Sequence, residues 1–137
     1  MRQVPGHALW IGHAGDVRDL PAIHEAGIVA VVDLAVQEPP GPIARDLLIA
    51  RFPIVDGPGN PPWMLLAAVD LVAGLVADRV PTLIGCGAGM SRSPCIAAAA
   101  IARVLSIPAD EGLALVLRTA PADVAPGLWA EIRSLVG

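Results

Sequence analysis

The stretch TLIGCGAGMSRSPCIAAAAIA, residues 82–102, begins as an apolar β-like run, passes through three glycines and ends in a row of alanines. This order predicts a strand, a tight loop and a helix, with Cys86 at the end of the strand and Arg92 where the helix begins. Amides of a small-residue loop, with the positive end of a helix, can bind an anion and stabilise a thiolate. Two interpretations follow: a cysteine that attacks phosphate, or a glycine turn beside a buried cysteine.

The rest of the chain alternates predicted strands and helices. Strands are predicted at 8–12, 28–35, 47–54 and 81–86, and helices at 16–27, 62–79, 93–106, 109–120 and 126–136. This order predicts one α/β domain over residues 1–137, with three layers and a central, mostly parallel sheet of four to five strands flanked by helices. In such sheets ligands bind beyond the carboxyl ends of the strands, which is where the loop after Cys86 lies.

Composition and charge exclude several classes of function. The longest apolar stretch, residues 63–77, contains Asp70 and is shorter than the roughly 20 residues of a membrane-spanning helix. A net charge of −4 without a basic cluster argues against nucleic acid or a lipid surface as partner. All nine basic residues are arginine, which with the abundant Ala, Val, Gly and Pro is typical of a bacterial genome of high GC content. Residues 1–16 contain no long apolar region and no small-residue cleavage site, so we expect no signal peptide. The two cysteines form neither a disulfide framework nor a metal motif, so we expect no metal and a cytoplasmic protein.

The spacing of Cys86 and Arg92 matches the C-x5-R signature of protein tyrosine phosphatases. The string CGAGMSRSP resembles the dual-specificity branch, whose loop often reads H-C-x-A-G-x-S-R-S. Residues 9–34 are similar to the opening strand, helix and second strand of that branch, and residues 110–132 to its C-terminal helices. The resemblance covers roughly the whole chain. Low-molecular-weight phosphatases and arsenate reductases share C-x5-R near their N-termini, whereas here it follows three predicted strands.

The resemblance implies a role for each residue of the loop. Cys86 would be the nucleophile that forms a phosphocysteine, and Arg92 would bind the phosphoryl oxygens and stabilise the transition state. Ser93 would assist departure of the thiolate in the second step, although a serine here could equally cap the helix. Phosphate binding is assigned to the loop residues Gly87, Ala88, Gly89, Met90, Ser91 and Arg92. No cofactor is implied.

The general acid of this family is an aspartate in a mobile loop after an earlier strand, and Asp56 in RFPIVDGPGNPP occupies that setting. Asp33 is a weaker candidate that we expect to satisfy backbone groups at a strand end. Cys95 is interpreted as a packing residue rather than a redox partner of Cys86. One departure from the family is Gly85, which stands where a histidine usually precedes the nucleophile, so we expect a slower enzyme.

Three functions are compatible with these residues. The first is a phosphatase acting on phosphotyrosine in a protein or peptide, with phosphoserine and phosphothreonine as further substrates. The second is a pseudophosphatase that binds phosphorylated partners without hydrolysing them. The reason to consider it is Gly85, which replaces the usual histidine. The third is a phosphatase of lipid or other small phosphate esters, which the lack of lysine in the loop disfavours. The oligomeric state is left open.

Overall fold

The computed structural model describes residues 1–35, 37, 39, 44, 46–118 and 122–136. Within them the strands are β1 (Arg2–Gln3), β2 (Leu9–His13), β3 (Ala30–Ala35), β4 (Leu48–Ile54) and β5 (Thr82–Cys86). The helices are α1 (Ala14–Val17), α2 (Leu20–Glu25), α3 (Pro62–Ala77), α4 (Arg92–Leu105), α5 (Ala109–Leu117) and α6 (Pro126–Val136). The strands form one sheet in the order β1-β2-β5-β3-β4, in which only β1 is antiparallel to its neighbour. The predicted α/β fold with a mostly parallel sheet is confirmed.

Two apolar clusters cover the two faces of the sheet. Val31 packs with the buried residues of α1 and α2 on one face, and its neighbour Val32 packs with α3, α4 and α6 on the other. Successive side chains of a strand point to opposite faces, so β3 must be apolar throughout, and all six of its residues are buried. The sheet is therefore the middle of three layers.

Helix α4 is the most buried helix among the described residues. Every residue from 92 to 102 is buried, and the helix contacts α3, α5 and α6. The alanine run explains this position, because small side chains let neighbouring helices approach closely. At Gly112 of α5 an added Cβ would overlap the carbonyl oxygen of Ala98. The loop before α4 is thus attached to the centre of the core.

Some predicted boundaries differ from the structure. The helix predicted at 16–27 is two helices, because the carboxylate of Asp19 accepts a hydrogen bond from Ala22 N and Pro21 follows in the first turn of α2. Strand β1 was not predicted, and two residues are too few to give a periodic signal. The end of the helix predicted at 109–120, which corresponds to α5, lies outside the described residues at 119–120. None of the helices described is both long and apolar enough to span a bilayer.

Candidate active site

The predicted nucleophile lies at the end of the central strand. Cys86 is the last residue of β5, which pairs with β2 on one side and β3 on the other, and its side chain is 2% exposed. Residues 87–91 form the loop that follows, and α4 begins at Arg92. The loop is therefore fixed at one end by the sheet and at the other by the buried helix.

The loop turns its carbonyl groups toward the surrounding protein. Three of them accept hydrogen bonds from outside: Gly87 O from Ala14 N at 3.3 Å, Gly89 O from Arg2 Nη2 at 2.8 Å, and Met90 O from Asp123 N at 2.9 Å. In a trans peptide the N–H points opposite to the C=O, and the described residues contain no cis bond. The amides of Ala88, Met90 and Ser91 therefore point away from these partners, which leaves them available to an anion.

A cavity of about 170 Å³ lies in front of the loop. It is lined by Asp56, Cys86, Ala88, Met90, Ser91, Arg92 and Asp123. The predicted phosphate-binding residues Gly87 and Gly89 are not among the lining residues, and their lack of a side chain serves another purpose. Gly89 has φ +72°, and a Cβ there would stand 2.8 Å from the carbonyl oxygen of Gly12. A Cβ on Gly87 would stand 3.0 Å from Arg92 Nη2.

Arg92 is held from behind by the ends of two strands. Its side chain is 4% exposed, which is unusual for an arginine at the start of a helix. The two hydrogens of Nη1 are shared among three acceptors: Leu34 O at 3.3 Å, Gln37 Oε1 at 2.8 Å and Ile54 O at 3.1 Å. These acceptors offset the unfavourable placement of a cation at a helix N-terminus. Nη1 is held by these acceptors, and Nη2 lies beside Gly87. The guanidinium therefore has a fixed orientation, with one edge facing the loop.

Asp56 lies in the segment after β4, and its carboxylate is hydrogen-bonded to residues 87–91, which we call the phosphate loop after the role predicted for them. Ser91 Oγ donates to Asp56 Oδ1 at 2.6 Å. The turn that carries Asp56 is closed by Asn60, which is 6% exposed. Asn60 Oδ1 accepts from Val55 N at 2.8 Å, and Nδ2 donates to the carbonyls of Val55 and Gly57 at 2.9 and 3.1 Å. We call residues 55–60 the acid loop.

Ser93 and Cys95 are buried in the first turn of α4. Ser93 is fully buried, and its hydroxyl has no hydrogen-bond partner among the described residues. The capping interpretation of Ser93 is wrong, because Ser91 holds the N-cap position. Burial raises the pKa of the Cys95 thiol to about 12, and the charges of Asp56 and Cys86 add to the effect. Cys95 is therefore a neutral packing residue at neutral pH, and both cysteines are free thiols.

Gly85 is explained by a neighbour in α1. A Cβ at this position would overlap Cγ2 of Val17, which occupies the space beside β5. Valine is stiff at χ1 and cannot easily turn away. The histidine that the family usually has here is thus excluded by packing as long as residue 17 is valine.

Asp33 has the structural role expected of it. It is buried, its Oδ1 accepts from Ala35 N at 2.9 Å, and it does not line the cavity. Sequence reasoning did not find Gln37, Asn60 or Asp123. An asparagine between glycine and proline is a turn signal that could have pointed to Asn60. Nothing local distinguishes Gln37 or Asp123 from other polar loop residues.

No family model and no curated protein matches this chain. Solved structures do. Human DUSP28 aligns with a TM-score of 0.86 and 22% identity over 99% of this chain and 95% of its own. A mouse putative dual specificity phosphatase, in complex with zinc tungstate, aligns with a TM-score of 0.85 and 27% identity over 98% of this chain and 84% of its own. The human tyrosine phosphatase-like serine/threonine/tyrosine-interacting protein aligns with a TM-score of 0.83 and 17% identity over 98% and 93%.

Proposed function

We propose that this chain, which has the fold of the dual-specificity branch of cysteine-dependent protein tyrosine phosphatases, hydrolyses phosphotyrosine monoesters through a phosphocysteine intermediate. Phosphoserine and phosphothreonine esters are further substrates. One observation carries the proposal: a thiol and a guanidinium from one strand-loop-helix unit and a carboxylate from a separate segment line one cavity of about 170 Å³, at Cys86, Arg92 and Asp56. A glycine turn beside a buried cysteine would not require these three groups together.

In the first step the thiolate of Cys86 attacks phosphorus. An S–P bond forms while the bond from phosphorus to the ester oxygen breaks. Arg92 and the loop amides of Ala88, Met90 and Ser91 bind the non-bridging oxygens, whose charge they stabilise in the transition state. Asp56 gives its proton to the departing oxygen, so that the product leaves as an alcohol or phenol.

In the second step water attacks the phosphocysteine. Asp56, now a carboxylate, takes a proton from that water, the S–P bond breaks, and the thiolate of Cys86 departs with inorganic phosphate as product. A donor near the departing sulfur would assist this step. The buried hydroxyl of Ser93, which has no partner among the described residues, is the group we assign to it.

The rim of the cavity favours a single phosphate over a polyphosphorylated head group. Asp123 places a carboxylate beside the phosphate loop in addition to Asp56, the proposed acid, and its charge would repel further phosphates of an inositol lipid. Met90 is 40% exposed and offers an apolar surface to an aromatic ring. The substrate we infer is therefore a phosphorylated protein or peptide. A reducing compartment such as the cytoplasm suits Cys86, which must remain a thiol.

The test is hydrolysis of p-nitrophenyl phosphate between pH 5 and 8, with tungstate binding measured in parallel. We expect turnover by the native chain, none by Cys86→Ser, and turnover close to native by Cys95→Ser, because Cys95 is a neutral packing residue. Turnover that survives Cys86→Ser would overturn the mechanism. A native chain that binds tungstate without turnover would instead be a pseudophosphatase.

A further inference from the structure

The hydroxyl of Ser91 joins three segments of the site. It donates to Asp56 Oδ1 at 2.6 Å and accepts from Ala125 N at 2.8 Å. The backbone N–H of Ala125 can only donate, so the hydroxyl accepts that bond and has its one proton left to give to the oxygen at 2.6 Å. That proton therefore goes to Asp56. Ser91 is 6% exposed, so water does not compete freely for it.

This hydroxyl is diverted from the role its position favours. Ser91 holds the N-cap position of α4, where a serine oxygen usually accepts a hydrogen bond from a helical amide and so stabilises the helix. Here the side chain makes no capping bond. The local interaction has been replaced by one to a residue 35 positions away. Helix stability alone does not explain Ser91.

The bond makes the two oxygens of Asp56 different. Oδ1 accepts the proton of Ser91, so a proton carried by the carboxyl group resides on Oδ2. The same hydroxyl is fixed from behind by Ala125, whose segment is held to the phosphate loop through Asp123 N and Met90 O at 2.9 Å.

We propose that Ser91 is a positioning residue for the general acid. Its hydroxyl holds the acid loop against the phosphate loop before substrate binds and presents the Asp56 proton on Oδ2 for the leaving oxygen. The proposal rests on the function proposed above, since it gives Asp56 a proton to deliver. It predicts that loss of the hydroxyl affects substrates in proportion to their need for protonation of the leaving group.

The experiment compares two aryl phosphates. p-Nitrophenol leaves readily without a proton, whereas unsubstituted phenol requires one. We expect Ser91→Ala to lower kcat/KM for phenyl phosphate at least about 10-fold more than for p-nitrophenyl phosphate. Ser91→Thr keeps a hydroxyl and should preserve the native ratio. In an Asp56→Asn background, Ser91→Ala should not change the ratio, because the acid is already gone.

Two results would overturn the proposal: equal losses on both substrates, or an effect on the ratio that persists in the Asp56→Asn background. Either would leave the phosphatase function intact, whereas a native chain without turnover would remove both. Circular dichroism checks that each variant folds. If Ser91→Ala does not fold, Ser91→Cys supplies the same comparison, because a thiol of similar size is a weak donor.

Discussion

The two halves of the candidate site are built in different ways. Cys86 and Arg92 are 2% and 4% exposed, at the end of the central strand and the start of the most buried helix described. Asp56 is exposed and follows β4, an edge strand, in a loop that side-chain hydrogen bonds hold in place. The nucleophile half is therefore part of the core, and the acid half is attached to it by a few polar contacts.

This difference separates stability from chemistry. Under the proposed function, a change in the nucleophile half should disturb packing and catalysis together, because the same residues would serve both. A change in the acid loop should alter proton transfer while leaving the core almost unaffected. Local opening also occurs more easily in loops with few buried apolar contacts than in core strands and helices.

The largest effect is expected for Arg92→Lys. An ammonium group cannot satisfy the three oxygens that Nη1 contacts and also present a planar edge to phosphate. We expect kcat/KM for p-nitrophenyl phosphate to fall about 10²–10³-fold. Arg103→Lys is the matched control, since Arg103 lies in the same helix but pairs with exposed Asp70 on the surface. A loss below 10-fold in Arg92→Lys would contradict the fixed-edge arrangement.

Gly85→Ala tests the packing of the nucleophile half. The added methyl overlaps Val17, so we expect the free energy of unfolding to fall by about 1–3 kcal/mol. The double variant Val17→Ala/Gly85→Ala should recover much of this loss, because the space vacated by one side chain receives the other. Urea unfolding measures both. An undiminished stability of the single variant would show that the contact is not tight.

Cys95 should make stability depend on alkaline pH. Its pKa is raised from 9.0 to about 12 in the folded chain, so above pH 9 the unfolded chain releases a proton that the folded chain retains. Stability must then fall as pH rises, by up to about 1.4 kcal/mol per pH unit.

The chain suits this measurement because it lacks lysine and tyrosine, which would otherwise titrate in the same range. Urea unfolding at pH 8, 9.5 and 10.5 should show the slope in the native chain and a smaller one in Cys95→Ala. Identical slopes of stability against pH in the native chain and Cys95→Ala would mean that Cys95 is more solvated than the structure shows.

The smallest effect is expected for Glu131→Gln in the acid half. Glu131 Oε1 accepts from Gly59 N at 2.7 Å and links the acid loop to α6. Glutamine keeps an acceptor but loses the charge, which should cost about 0.5–1 kcal/mol. Turnover of p-nitrophenyl phosphate should stay near native and that of phenyl phosphate should fall a few-fold. A larger loss on p-nitrophenyl phosphate would show that the two halves are not separable in this way.

The sequence predicts the nucleophile half better than the acid half. Cys86, its loop and Arg92 belong to one strand-loop-helix unit, so seven consecutive residues carry the geometry, and a periodic pattern predicts the elements on each side. The sequence also predicts that Asp56 follows a strand. Its partner Ser91 cannot be predicted in this way, because it lies 35 residues away. The bond from Arg2 to the carbonyl of Gly89 cannot be predicted either, since it spans 87 residues. Contacts of this kind depend on how the layers pack, which no local pattern records.

Val17 and Gly85 constrain the order in which the chain can change. A histidine cannot enter position 85 while valine fills the space, and a smaller residue at position 17 alone leaves a cavity beside β5. We expect each single substitution to lower the stability of the protein. A chain that acquires the histidine of the dual-specificity motif therefore has to pass through a less stable intermediate. The glycine is thus maintained by its neighbour in α1, 68 residues earlier in the chain, whatever advantage a histidine would bring to the thiolate.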